Sequence, residues 1–113
     1  MHEMSIAESL VELIEEAGRN QRFLRVRQIR VKLGALGHVE PEALRFCFDA
    51  VSQGTIAESA ELDLEMVAGE GWCASCSRTV PISERYDLCP VCGQDHVRMT
   101  AGDELRLAEL EVE

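Results

Sequence analysis

Residues 73–92 read CASCSRTVPISERYDLCPVC, two Cys-x2-Cys pairs with twelve residues between them. Two residues between thiolates allow a tight turn whose backbone N–H groups point at the sulfurs, and two such turns close a tetrahedron around one metal ion. Pro90 fixes φ inside the second turn, and Gly93 permits the positive φ that follows it. Cys73, Cys76, Cys89 and Cys92 are therefore read as zinc ligands. Iron suits the same sulfur tetrahedron and is the main competitor, whereas two redox-active pairs would leave the segment unsupported. With four thiolates there is no open coordination position, so the zinc is structural. About 30 residues with no hydrophobic core of their own fold only if metal binding supplies the free energy.

Outward from this segment the chain alternates helix and strand. Ile6, Leu10, Leu13, Ile14 and Ala17 recur at helical spacing, with Ser5-Ile6-Ala7-Glu8 as a capping box at the start, or one turn into the helix, and Gly18 as its C-cap. From Arg25 the period becomes two. Ile29, Val31 and Leu33 alternate with Gln28, Arg30 and Lys32 as a strand with one buried face, ended by the Gly34–Gly37 turn. Pro41 opens a second helix whose apolar stripe is Leu44, Cys47, Phe48 and Val51. A second alternating run, Glu61 to Met66, carries acidic residues where the first strand carries Arg30 and Lys32, so pairing the two brings opposite charges together. A third strand runs from Glu104 to Val112, with a slip in alternation between Leu107 and Leu110 that predicts a bulge.

The expected fold is α+β, two helices on a small three-stranded, mostly antiparallel sheet with an inserted zinc-ribbon-like module. Residues 1–68 plus 103–113 make the first domain and residues 69–102 the module.

A formal charge of −10 among 113 residues disfavours general phosphate binding and hence nucleic acid. No apolar run approaches the roughly 18–20 residues that span a bilayer, and no basic flank or apolar signal core opens the chain. A cytoplasmic protein is expected, in which five cysteines point to metal or redox chemistry before disulfides. No nucleophile with a suitable base can be read, so no enzymatic activity is expected. Cys47 reads as a core residue, and Trp72 as packed against the zinc turn or the module's hinge. His96 reads as a surface histidine, since the cysteines complete the shell.

Met1-His2-Glu3 carries a second metal pattern. An α-amine, the amide nitrogen of residue two and an imidazole on residue two are linked by short covalent paths, so they form fused chelate rings around one ion. Nickel(II) and copper(II) favour the square-planar geometry these nitrogens provide; zinc has no such preference. Glu3 adds its amide nitrogen or carboxylate, and Glu40, beside the Gly34–Gly37 turn, is a further candidate. Methionine is generally removed only before small residues, so Met1 is expected to stay ahead of His2. Taken alone, the pattern is weak and reads first as a solvated tail, the ordinary state of a terminus.

MHEMSIAESL, Val31-Lys32-Leu33-Gly34, Val39-Glu40-Pro41-Glu42-Ala43-Leu44 with Phe46 and Phe48, Gly54-Thr55-Ile56-Ala57 and the paired cysteine motifs follow one another in this order. Together they resemble the HypA/HybF family of hydrogenase-maturation nickel chaperones over the whole chain. The resemblance implies nickel bound at His2 and Glu3, to which the chelate argument adds Met1, structural zinc at the four cysteines, and delivery of nickel to the precursor of the [NiFe]-hydrogenase large subunit. It further implies work with the GTPase HypB and, in some organisms, a contribution to urease. No nucleic-acid or membrane partner is expected, and the expected state is a monomer or weak homodimer. This chain lacks a histidine immediately after either cysteine pair, so a zinc site that exchanges cysteine for histidine is not expected. Two rival readings remain. One is a zinc-ribbon nucleic-acid binder drawing on Arg19, Arg22, Arg25, Arg27, Arg30 and Lys32, six of the eleven basic residues. The other is a rubredoxin-like iron electron carrier.

Overall fold

Val26, Ile29, Val31 and Leu33 are buried along strand β1 (Val26–Gly34), and the charged residues between them face outward. The computed structural model describes residues 2–94 and 96–113. It divides into two compact units, one of Met1–Val31, Val39–Glu65 and Arg106–Glu113, the other of Lys32–His38 and Met66–Leu105. Elements follow in the order α1 (Glu3–Gln21), β1, a 3-10 turn (Ala35–Gly37), α2 (Pro41–Val51), β2 (Glu61–Val67), β3 (Gly69–Cys73), β4 (Arg78–Ile82), β5 (Arg98–Ala101) and β6 (Leu105–Val112).

In the first unit β1 lies centrally in the order β2-β1-β6. Glu113 N–H donates to the Arg25 carbonyl at one end of β1, and Gly34 N–H donates to the Glu104 carbonyl at the other, which makes the β1–β6 pair antiparallel. Arg30 on the exposed face meets Asp63 at 3.3 Å and Glu109 at 3.5 Å, the charge matching expected from the sequence. The burial pattern of β6 slips at Leu107-Ala108, where the sequence alternation slips.

The first helix differs in detail from expectation. Its N-cap is His2, no side chain caps it, and Ser5 lies inside it, so the capping box does not form. Its buried stripe is Ala7, Leu10, Val11, Ile14 and Gly18, while Leu13 is exposed. Small residues complete the stripe because neighbours come close: a Cβ on Gly18 would stand 2.6 Å from Ile56 Cδ1. Gly18 thus serves packing, and the left-handed C-cap falls at Arg22 (φ 60). In α2, Leu44 and Phe48 are buried as the stripe predicts, while Cys47 is half-buried.

The second unit contains a sheet of its own, in the order β4-β3-β5. Antiparallel β3 and β4 pair from Gly69↔Ile82 to Cys73↔Arg78, so the first Cys-x2-Cys segment is the turn of a hairpin. Its core is Leu36, Val80, Ile82 and Val97 around Cys73 and Cys89. Leu36 is held there by its N–H bond to the Gly102 carbonyl at 2.7 Å. Three glycines meet at this point. A Cβ on Gly34 would collide with the Gly102 carbonyl, and one on Gly102 (φ +114) would stand 2.5 Å from Gly69 Cα. Gly102→Ala is therefore expected to destabilise the second unit by about 3 kcal/mol, combining a disfavoured φ with a backbone clash. Denaturation followed by the fluorescence of Trp72, the chain's one tryptophan, checks this; an unchanged midpoint contradicts it.

Candidate metal centre

Each cysteine pair sits on a tight turn, and each turn ends in a left-handed residue, Ser77 (φ 52) after the first and Gly93 (φ 68) after the second. Glycine takes that conformation freely, whereas serine does so at a cost of roughly 1 kcal/mol. Cys76 N–H donates to Cys73 Sγ and Val91 N–H to Cys89 Sγ, both at 3.4 Å. The turns thus present N–H groups to the first sulfur of each pair, as the spacing requires.

The four Sγ atoms lie within 4.8 Å of one another. Cys73 and Cys92 sulfurs are 3.7 Å apart, and those of Cys76 and Cys89 are 3.9 Å apart. A tetrahedron with metal–sulfur bonds near 2.3 Å has edges of about 3.8 Å, so the donor set fits a tetrahedral zinc ion. None of the four is in a disulfide. Burial grades them: Cys73 and Cys89 are buried, Cys76 and Cys92 partly exposed.

As free thiols Cys73, Cys76 and Cys89 are unequal. N–H bonds from Cys92 and, behind it, Val91 hold Cys89 down to about 6 against the opposing effect of burial. Burial pushes Cys76 up to about 12, reinforced by hydrogen bonding with the neighbouring sulfurs. At Cys73 the N–H of Cys76 pulls the pKa down, but burial and the Cys89 and Cys92 sulfurs together outweigh it and raise it. Four like groups packed together cannot all ionise without a cation to neutralise them. The cluster is built for a metal ion.

Around the second turn, Val97 N–H donates to the Asp87 carbonyl at 2.9 Å and His96 Nδ1–H to the Tyr86 carbonyl at 2.7 Å. His96 is exposed and supports the loop carrying Cys89. Trp72, 39% exposed on β3, pairs in register with Thr79 and Arg98.

In the first unit, His2 and Glu3 begin α1, and Glu40 precedes α2 as its N-cap. Met1 lies outside the described residues. Glu3 Oε2 accepts a 3.0 Å hydrogen bond from Glu40 N–H, across 37 residues of sequence. This side chain ties the starts of the two helices together, a role that sequence reasoning missed because no local pattern signals it. The Glu40 N–H, followed by the backbone of Glu3 itself, holds the Glu3 carboxyl below its ordinary range.

A depressed carboxyl contributes stability that is full above its unfolded pKa and is lost as pH falls through the lower folded value. Glu3→Gln in metal-free protein is therefore expected to lower the thermal midpoint of the first unit near neutrality. The deficit relative to wild type should shrink below about pH 4 as Glu3 protonates. Parallel melts from pH 7 to pH 3 test this, and a pH-independent deficit contradicts it.

A sequence model of the family described as "Hydrogenase/urease nickel incorporation, metallochaperone, hypA" matches residues 1–112. The hydrogenase maturation factor HypA of Methylocella silvestris is 67% identical over 113 residues, covering all of both chains. That of Rhodopseudomonas palustris strain BisB5 is 54% identical over the same span. The solution structure of the Ni metallochaperone HypA from Helicobacter pylori superposes with a TM-score of 0.73 at 26% identity, covering 99% of this chain and 97% of that one. A second solution structure of a HypA protein gives 0.75 at 27% identity, covering 100% and 97%. With a four-thiolate centre late in the chain and similarity that runs from end to end in both sequence and fold, this protein belongs to the HypA family of nickel metallochaperones that act in hydrogenase maturation.

Proposed function

We propose that this protein takes up nickel(II) at its N-terminus, through the Met1 amine, His2 and Glu3, and delivers it to the precursor of the [NiFe]-hydrogenase large subunit. HypB is the GTPase partner in this reading, and urease a second recipient. Residues 1–68 plus 103–113 form the nickel-binding domain. Residues 69–102 form the module in which zinc, at Cys73, Cys76, Cys89 and Cys92, serves as a structural brace.

The observation that carries the nickel reading is the state of the backbone at the start of α1. The ladder begins with Ile6 N–H donating to the His2 carbonyl, so the amide nitrogens of the first helical residues have no helical acceptor. His2 is exposed, with its own φ and ψ outside the helical region. The His2 imidazole is therefore exposed, and the Glu3 amide has its own carboxylate rather than a helical carbonyl as acceptor. The Glu3 carboxylate is engaged with Glu40 N–H, which favours the Glu3 amide over its carboxylate as donor and leaves Glu40 the weaker candidate. An exposed site of terminal groups also suits a carrier, because a recipient's ligands can replace them one at a time.

Extending the chain by one residue ahead of Met1 separates the amine from His2 while leaving every native side chain in place. Calorimetric titration should then show loss of stoichiometric nickel binding with zinc content unchanged; undiminished nickel affinity rules the site out. The isolated protein is expected to be colourless, since iron at the four thiolates would make it red.

A further inference from the structure

Of the six basic residues between positions 19 and 32, Arg27 pairs with Glu113 at 3.5 Å and Arg30 with Asp63 and Glu109. Arg19 and Arg22 have no ion pair among the described residues. Both line a groove of about 510 Å³ in the first unit, between the C-terminal end of α1 and the Gly54-Thr55-Ile56 turn. Its volume lies in the range of ligand and peptide sites.

The floor is apolar, formed by buried Gly18 with half-buried Phe23 and Ile56. Leu24 on the rim is 84% exposed, the most exposed of the large apolar side chains among the described residues. Among the described residues Glu15 is the one carboxylate on the wall, against two guanidinium groups. The turn is firm: Thr55 Oγ1 donates to the Ser52 carbonyl at 2.6 Å and accepts from Ala57 N–H at 3.1 Å. Ile56 is tied to β1 through Val26 N–H at 2.9 Å. The groove is thus preformed.

We infer that this groove docks an acidic segment of a partner protein, one apolar side chain seated over Phe23 and Ile56 and flanking carboxylates held by Arg19 and Arg22. Charge complementarity selects that occupant. On a chain of formal charge −10, the described groove wall carries two arginines against one carboxylate beside an apolar floor, a locally positive rim. Guanidinium groups also suit carboxylates because they can bind them through two parallel hydrogen bonds. Among the described residues, neither His2 and Glu3 nor the four cysteines line the groove, so the inference stands apart from the metal sites.

The test uses a fluorescein-labelled hexapeptide with a central Leu-Phe pair flanked on each side by two glutamates, titrated with the full-length zinc-loaded protein at low salt. A control peptide carries lysine in place of each glutamate. Arg19→Gln and Arg22→Asn are each expected to weaken binding of the acidic probe about fivefold; asparagine tolerates the left-handed φ at position 22. Leu24→Ala, a change at an exposed site, should weaken it similarly, and all three variants should retain wild-type zinc content and melting behaviour. Equal affinity for the lysine peptide, or no response to the three substitutions, overturns the proposal. So does sedimentation showing that wild-type protein self-associates and that the arginine variants do not, since the groove would then belong to a second copy of this chain.

Discussion

Cys73→Ala is expected to eliminate zinc binding and unfold the second unit while the α1–α2 unit keeps its structure. Beyond the cysteines, the buried cluster around the sulfurs holds, among the described residues, four aliphatic side chains, Leu36, Val80, Ile82 and Val97. The strand through its centre, β3, contains Gly69 and Gly71, which weaken a strand because they add backbone entropy and no packing. So small a core cannot offset the cost of ordering the chain around it. A structural zinc site contributes on the order of 10 kcal/mol, comparable to the whole stability of an ordinary domain. Cys73 is fully buried, so alanine there removes a ligand where no solvent group can replace it. The expected record is zinc content near zero, loss of the Trp72 near-ultraviolet signal, and rapid hydrogen exchange in β3, β4 and β5. Amides of α1 around Leu10 and Ile14 should stay protected. A strong chelator should reproduce the pattern in wild type. Retained protection in β3 without bound metal would mean that the cysteines are dispensable to the fold.

What the sequence disclosed follows the range over which its signals act. Cysteine pairs with two residues between them declare their geometry locally, and the structure brings all four sulfurs together. The alternation in β1 and Pro41 at the start of α2 are local signals too, and both elements appear where expected. The capping box misled because Ser5-Ile6-Ala7-Glu8 can only cap a helix that begins there, and α1 begins at Glu3. Gly18 misled for a different reason: the residue that demands a glycine, Ile56, is distant in sequence.

The sheet of the second unit left almost no mark in the sequence. β3 reads Gly-Glu-Gly-Trp-Cys, without hydrophobic alternation. Its core takes in Leu36 from a turn that precedes α2, a tertiary choice that no window along the chain contains. Ser77 hid in the same way, because its left-handed φ is imposed by the zinc turn, where its counterpart after the second pair is Gly93. The contact of Glu3 with Glu40 is likewise long-range. It explains why a residue beside His2 has a structural task as well as a proposed ligand role.

That division of labour makes His2→Ala the decisive substitution at the proposed nickel site. Nickel affinity is expected to fall at least about a hundredfold, because disturbing groups that merely support a ligand already costs about 10–100-fold and this change removes a ligand outright. The fold should be indifferent. The His2 side chain is exposed and makes no cap hydrogen bond, and its carbonyl, which accepts from Ile6 N–H, is retained in alanine. Thermal midpoint, helix content and zinc content should therefore match wild type, so lost nickel binding cannot be ascribed to unfolding. Glu3→Ala makes the contrast, because it breaks the hydrogen bond to Glu40 N–H and should lower the thermal midpoint while leaving the Glu3 amide as a donor. In wild type, protons compete with nickel for the amine and the imidazole, so affinity should decline as pH falls; in His2→Ala that dependence should flatten. Nickel spectroscopy supplies the last discrimination. A square-planar nitrogen-ligated species in wild type that disappears in His2→Ala fits the site, whereas nickel found on sulfur in both proteins would place the cargo on the four thiolates and remove the N-terminus from the mechanism.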